Sequence, residues 1–327
     1  MRIAYFVHGN GRGHAMRALS LIPVLRAHGH EVHVHSSGDA VAMLHGLEGV
    51  QVDCLGPGPR LAPRFAARMA ADLRVLRHLR PDVVITDGDA PSLHAAAALR
   101  IPSIAVGHGL LFAHCRLPIE LPFRERLREA INAASASWLA RRVIVVHFGT
   151  LDCFDPRAVV ARPDPRPDLA TDRVRGDALV VYAGQADLSG YVRELHRRGH
   201  PLVVFGCARS LPDGVVAQAP DVTRFAAALS KARGVVGTAG SNLVAEAAAL
   251  GRPLLLVAPA HMIEQQVNAR LAERDAFAVA ASAEEIDIEA IERFEAMLGR
   301  DVPKNVPPNP TVSEAVLACL AELAPTI

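Results

Sequence analysis

The segment Val7-His-Gly-Asn-Gly-Arg-Gly-His14 joins a strand-like run to a helical one. Its glycines fall at 9, 11 and 13, where they permit positive φ and let the backbone approach a ligand. Gly11 and Gly13 are the candidates for that contact. His14 opens the helix at the carboxyl edge of a parallel sheet, where open α/β sheets bind ligands, and a histidine there can act as a general base. A helix cap or a plain surface position is the blander reading of His14, since the chain has 15 histidines. Val83-Val-Ile-Thr-Asp87-Gly-Asp89 places two carboxylates beyond the next buried strand. A carboxylate on the far imidazole nitrogen fixes the tautomer and stabilises the imidazolium. Asp87 is the expected partner, and Asp89 the expected cap of the following helix. The glycine spacing is not the dinucleotide fingerprint, and no acidic residue closes the strand at 31–36, so a nicotinamide enzyme is disfavoured.

A second constellation spans 235–269. A strand, a Gly/Ser turn, a helix, a strand and a polar-tipped helix follow in that order. Free amides at Gly240, Ser241 and Asn242, together with the helix dipole, are expected to make an anion site suited to a diphosphate. Glu246 lies one turn inside that helix, where a carboxylate can accept both hydroxyls of a ribose. Gln265 and Gln266 open the next helix and supply the directional amides that sugar hydroxyls need.

This stretch resembles the donor-binding region of GT-B glycosyltransferases, particularly the MurG-like (family 28) and UDP-glycosyltransferase (family 1) group. In that pattern a Gly-Ser/Thr turn meets the diphosphate, a helix Glu holds the ribose, and a His followed by Gln-Gln meets phosphate and sugar. Gly240, Ser241, Glu246, His261, Gln265 and Gln266 occupy those places, and Glu264-Gln265 matches the acidic-Gln pair that holds the hexose in some relatives. The resemblance makes His14 the general base, and it aligns Ala183-Gly184-Gln185 with a glycine turn that touches phosphate. Gly206-Cys207-Ala208 and Arg224-Phe225 stand, with less agreement, where the nucleobase is held. Retaining members carry two glutamates eight positions apart. Thr238 and Leu254 stand eight residues either side of Glu246, so that pattern is absent and the inverting reaction is implied. Asp87-Gly-Asp89 also has the D-x-D form that binds a divalent metal in a different transferase fold, a reading held below a metal-independent one. The resemblance thus implies transfer of a hexose from a co-substrate, a UDP-sugar or another nucleotide-sugar, to an acceptor hydroxyl, without a further cofactor. Asp89 and His108 are the candidates for touching the acceptor, though a buried structural role for His108 is an equal alternative. Other readings on the same fold are a non-hydrolysing UDP-sugar 2-epimerase and a non-catalytic nucleotide-sugar-binding protein.

These residues need elements to hold them. Short β-rich runs at 2–8, 31–36, 50–54, 82–86, 103–107 and 142–147 alternate with helical stretches at 14–28, 63–80, 90–99 and 123–140. A second series has strands at 178–183, 202–205, 234–237 and 253–257, and helices at 188–198, 241–250, 263–273 and 284–298. The βαβα order predicts two Rossmann-like, doubly wound parallel-sheet α/β domains, and the resemblance makes them face each other across a cleft. The acceptor domain is expected over 1–160 and the donor domain over 178–310. A Pro-rich linker at 161–177 joins them, and a last helix in 311–327 is expected to pack on one of the two, the N-terminal domain being the candidate, or to bridge them.

With 327 residues, half of them hydrophobic, and 35 basic against 34 acidic side chains, the chain is too apolar and too charge-balanced to be disordered. Residues 1–160 carry 18 basic and 13 acidic side chains and 161–327 carry 17 and 21. Neither half has the basic excess or the reading motif of a nucleic-acid binder. Five cysteines at long spacings encode neither a disulfide framework nor a zinc knuckle. His28, His30, His33 and His35 cluster around one strand, where helix capping outweighs a metal site. No signal sequence and no apolar run of about 18 residues stands out, so a cytoplasmic protein is expected. Peripheral membrane contact stays open. Helix 63–80 is expected to set a solvated basic face with Arg64, Arg68, Arg74 and Arg77 against a core-facing stripe. With Leu110-Leu-Phe112, Arg116, Arg124, Arg126 and Arg128 it could instead form a basic, apolar-edged surface for a lipid phosphate. The acceptor class (lipid-linked, natural product or saccharide) and the oligomeric state are not written in the sequence.

Overall fold

The computed structural model describes residues 1–9, 12–44, 50–52, 61–166, 168–169, 174–184, 186–206, 210–219, 221–300, 302, 304 and 306–324. The chain runs through β1 (Arg2–Val7), α1 (Arg12–Ala27), β2 (Glu31–Ser36), α2 (Gly38–Leu44), β3 (Val50–Val52), α3 (Leu61–Leu79), β4 (Val83–Asp87), α4 (Ala90–Ala98) and β5 (Ser103–Gly107). It continues with α5 (Leu111–His114), β6 (Cys115–Arg116), α6 (Phe123–Ser135), β7 (Arg142–Val146), β8 (Asp152–Cys153) and β9 (Ala158–Ala161). Next come β10 (Leu179–Tyr182), α7 (Ser189–Arg197), β11 (Leu202–Phe205), β12 (Ala217–Gln218), α8 (Val222–Lys231) and β13 (Gly234–Gly237). The remainder is α9 (Ser241–Ala249), β14 (Leu254–Ala258), α10 (Ile263–Arg274), β15 (Ala278–Ser282), α11 (Ile288–Leu298) and α12 (Val312–Leu323).

Two compact units result: Met1–Asp164 with Pro308–Ile327, and Pro165–Pro307. Among the described residues the first holds a seven-stranded parallel sheet in the order β3-β2-β1-β4-β5-β7-β9. The second holds a six-stranded parallel sheet in the order β12-β11-β10-β13-β14-β15. Both are doubly wound, with the strand order reversing beside the first strand of each unit. That reversal opens a crevice at the carboxyl ends of β1 and β4 in one unit and of β10 and β13 in the other.

Strand β1 shows why these segments read as unbroken apolar runs. Ile3, Tyr5 and Val7 face a core shared with α1, α2 and α12, whereas Ala4 and Phe6 face Leu76 of α3 and Ala95 and Ala96 of α4. A strand buried on both faces has no polar alternation to display. The second sheet repeats this, packing Leu179, Val181 and Val236 on Tyr191, Val192 and Phe294.

Several boundaries differ from the sequence reading. Helix α6 ends at Ser135 and passes into turns, where the Ser137 hydroxyl bonds the Ala133 carbonyl and the His114 imidazole. Helix α11 starts at Ile288, where the Asp287 carboxylate caps the Ala290 amide. The stretch expected to begin a linker at 161 instead continues a strand: β9 reaches Ala161 and Arg162 forms a parallel bridge to Thr311. The cysteines are less scattered than their spacing suggested. Cys115 and Cys153 face each other across the antiparallel pair β6 and β8, sulfur to sulfur at 3.0 Å. The histidines around β2 serve the local structure: His28 bonds the Val24 carbonyl, His33 bonds Glu31, and His35 is buried on the Phe6 ring.

The last helix belongs to the first unit. Val312, Ala315, Val316, Cys319 and Leu320 join the β1 and α1 core, and Arg142 pairs with Glu322 at 2.6 Å. Its start is held by a capping box, in which the Glu314 amide donates to the Thr311 hydroxyl and the Thr311 amide donates to the Glu314 carboxylate. Replacing Thr311 by Ala removes the side-chain half of that box at a buried position. It is expected to destabilise the first unit by about 1–2 kcal/mol, read as a lowered midpoint in denaturant unfolding.

Candidate functional site

Asp87 ends β4 in register with Val7 of β1 and Val106 of β5, so its side chain lies at the strand-order reversal of the first sheet. The side chain is fully buried. Oδ1 accepts from Nδ1 of His14 at 2.6 Å and from the Arg17 guanidinium at 2.9 Å, and Oδ2 accepts from the Tyr5 hydroxyl at 3.1 Å. Burial alone pushes the Asp87 carboxyl up. Arg17, His14 and the Tyr5 bond outweigh it and hold the carboxyl below the ordinary value, so it is ionised at neutral pH. The Tyr5 phenol is driven well up, first by burial and then by the Asp87 charge beside it.

His14 is in the first turn of α1 and its side chain is 27% exposed. With Nδ1 on Asp87, Nε2 has no partner among the described residues and is the nitrogen left for a substrate. The turn after β4 makes room for the ring. Gly88 has φ +69°, and a Cβ there would stand 2.7 Å from Cε1 of His14, so a side chain would both strain the turn and displace the imidazole. His8 packs its ring edge-on to His14 at 5.3 Å. Its pKa is lowered, first by burial and then by His14, which keeps it neutral.

The other first-unit candidates make contacts of their own. Asp89 occupies the cap position of α4 without bonding a helix amide; it accepts from Arg68 at 2.8 Å, and Arg68 also grips Asp72. Arg68 is therefore buried, not part of a solvated basic face. His108 is buried, bonds the Val146 carbonyl at 2.6 Å and stacks on His147, two strands along from β1. Gly13 lies in α1. Gly11 falls outside the described residues, as do Gln185, Cys207 and Ala208.

The second crevice is built mostly of backbone. Gly184 follows β10 with φ +55°, and a Cβ there would meet Oγ1 of Thr238 at 2.6 Å, so the end of β10 closes tightly on the loop after β13. Gly240 precedes α9 as its cap residue and brings no capping side chain. Its own amide donates to the Thr238 carbonyl at 2.8 Å. The expectation of a free Gly240 amide is thus corrected: the unpaired donors are the first-turn amides of Ser241, Asn242 and Leu243, which no helix carbonyl can reach. Asn268, fully buried in α10, donates to the Ala239 carbonyl at 2.8 Å and fixes this loop from behind. A polar side chain on the inward face of a helix was its only trace in the sequence.

Glu246 is 15% exposed in α9, with Arg166 at 3.6 Å. Burial dominates; Arg166 pulls the other way, and the carboxyl is pushed up to about 7. Arg166 is also bound by Asp168 at 2.6 Å, so its charge is shared between two acids. On α10, Gln266 turns its amide nitrogen onto the Ala260 carbonyl at 2.8 Å and closes the loop before the helix. Gln265 keeps a buried side-chain oxygen with no partner among the described residues. His261, in the turn before α10, and Glu264, in its first turn, are exposed.

Residues 60–299 match the glycosyl transferase family 1 profile. The chain belongs to this family. It is a glycosyltransferase, and its two doubly wound sheets fit the GT-B fold of the solved structures it resembles. MurG from Acinetobacter baumannii superposes with a TM-score of 0.69 over 98% of this chain and 99% of its own, at 16% identity. The glycosyltransferase SnogD from Streptomyces nogalater does so at 0.63 over 99% of each chain, at 18% identity. A UDP-N-acetylglucosamine 2-epimerase gives 0.65 over 99% of this chain and 95% of its own, at 15% identity. No curated protein sequence matches the chain.

The position of Glu246 in this glycosyltransferase carries a stability signature. Its carboxyl titrates near 7 when folded and near the ordinary 4.5 when unfolded. The folded chain therefore binds the extra proton between these values, and stability falls as pH rises through that window. At pH 8 the cost approaches an upper bound of roughly 3 kcal/mol. Glu246→Gln is expected to raise the melting temperature at pH 8 and to leave it unchanged at pH 4, as thermal unfolding across that range would read.

Proposed function

We propose that the chain is an inverting, metal-independent glycosyltransferase that moves a hexose from a UDP-sugar to an acceptor hydroxyl. The 2.6 Å contact between Nδ1 of His14 and the buried Asp87 carboxylate carries this reading. It fixes the tautomer with Nε2 unprotonated and steadies the imidazolium that follows proton uptake. In the reaction so read, the acceptor hydroxyl gives its proton to Nε2 as its oxygen bonds the anomeric carbon. The bond from that carbon to the diphosphate oxygen breaks, and its electron pair leaves with the nucleoside diphosphate. The first-turn amides and positive end of α9 are suited to the growing phosphate charge.

Metal independence is supported by the state of Asp87 and Asp89, since each carboxylate already faces an arginine, Arg17 and Arg68. Glu246 supports a ribonucleotide: as a carboxylate it can accept both ribose hydroxyls, and a thymidine nucleotide lacks the second. That is a point of contrast with VinC, a fold relative with a TM-score of 0.64 at 18% identity that was solved with dTDP. The likeness to an epimerase favours a second reading, in which the UDP-sugar is inverted at C2 without an acceptor.

Among the described residues no helix is long and apolar enough to cross a membrane. Leu110, Leu111 and Phe112 are buried, so they drop out of the expected apolar-edged surface. Helix α6 takes their place. Phe123, Leu127 and Ile131 recur every fourth residue and are exposed, as is Trp138, with Arg124, Arg126 and Arg128 alongside. An exposed apolar stripe edged by arginines suits a peripheral contact with an anionic lipid surface, and with it a lipid-linked acceptor.

Thermal shift across nucleotides is expected to show UDP and UDP-sugars stabilising the protein more than dTDP. Glu246→Ala should weaken that binding tenfold or more. Turnover read as UDP release should persist in EDTA and fall at least 100-fold in His14→Ala, with donor affinity nearly unchanged. Loss of turnover in EDTA would restore a metal role to Asp87 and Asp89; sugar inversion without UDP release would favour the epimerase. Sedimentation with phosphatidylglycerol vesicles should capture the protein, and Phe123→Ser with Ile131→Ser should abolish capture.

A further inference from the structure

The side chain of Arg17 is 6% exposed, and its Nε is buried with no hydrogen-bond partner among the described residues. Packing alone does not account for it, because an apolar side chain would fill the same inward face of α1 without a stranded donor. What Arg17 does touch is telling. Its guanidinium meets Asp87 on Oδ1, the oxygen that also holds Nδ1 of His14, while Tyr5 occupies Oδ2.

An imidazole bonded to a lone buried carboxylate gains a strongly favourable ion pair when it takes a proton. It would then be charged at rest and poor as a base. A permanent cation on the same carboxylate removes most of that gain, since protonation would set two cations against one anion. The hydrogen bond that orients the ring survives, because Asp87 stays ionised. The charged and titratable groups that face His14 agree in direction. His8, from the turn after β1, adds no charge; Tyr5 of β1 is held as the neutral phenol; Asp89, beyond β4, is matched by Arg68 of α3; Asp164 acts on Tyr5. Arg17 is the one permanent cation among the described residues in contact with the pair's carboxylate.

We propose that Arg17 is a positioning residue that sets the basicity of His14, cancelling the charge of Asp87 while leaving Asp87 in place as the acceptor that orients the imidazole. This rests on the reading of His14 as the general base and deepens it by naming the residue that tunes that base. The test is His14 titration in the free, labelled protein by NMR, with His14→Gln used to assign the resonance, alongside the pH profile of kcat/KM. Arg17→Met is expected to move the His14 titration upward by about one to two pH units and to carry the acid limb of kcat/KM up with it. Arg17→Lys, which keeps the charge, should move both much less, and Tyr5→Phe should do the same.

Arg17→Gln keeps an amide donor on Asp87 and serves if the methionine variant does not fold. Should both neutral variants leave the titration in place, or Arg17→Lys shift it as far as they do, the proposal is overturned. A titration that shifts while the kcat/KM profile stays put would uphold the role of Arg17 and remove His14 from catalysis, so the two readings fail separately.

Discussion

A carboxylate with no access to water sits at the point where the first sheet changes direction, and its neutralisation organises the surrounding elements. Desolvating an ionised Asp costs several kcal/mol unless cation and hydrogen-bond partners are close. Asp87 recruits them from β1 and α1: Tyr5 from the strand, His14 and Arg17 from one face of the helix, three residues apart. That requirement fixes how α1 leaves β1, where the turn after β4 must pass, and why it passes at a glycine. The ring of His14 is oriented as a by-product of satisfying the acid beneath it.

The two units share one topology and use its crevice in opposite ways. In the first, side chains converge on a buried charge. In the second, glycines at 184 and 240 bare the backbone, and the polar groups offered are amides of the first turn of α9. Neither crevice relies on a lysine; the chain has only Lys231 and Lys304. The two crevices thus offer different chemistry, an imidazole held by a carboxylate in one and backbone donors in the other.

Most of the architecture was readable in advance because strands buried on both faces appear as unbroken Val, Ile and Leu runs bounded by Gly or Asp. The exceptions are elements too short to have a period, together with α2, α8 and β15, which the expected elements did not cover. β9 spans Ala158–Ala161 beside a proline cluster, and β6 and β8 are two residues each, so only tertiary pairing reveals them. His14 and Asp87 were visible as polar residues at a helix start and a strand end, and Glu246 as a carboxylate one turn inside α9. Arg17 and Arg68 were not, because an arginine on a helix reads as solvated until its burial is known. The same holds for Arg166 beside Glu246, eighty residues away in sequence, and for Asn268, whose partner is a backbone carbonyl that no motif records.

The return of α12 to the first unit has a consequence for how the chain is made. Its apolar face fills the same core as β1 and α1, yet Pro165–Pro307 lies between them in sequence. Domains tend to fold as they leave the ribosome, at roughly 5–20 residues per second. The second unit is complete before α12 has been translated, so for several seconds the first would wait with a core groove open. Vectorial synthesis thus favours the unit that comes later in the sequence, and the half that carries His14 and Asp87 would be the last to reach its native state.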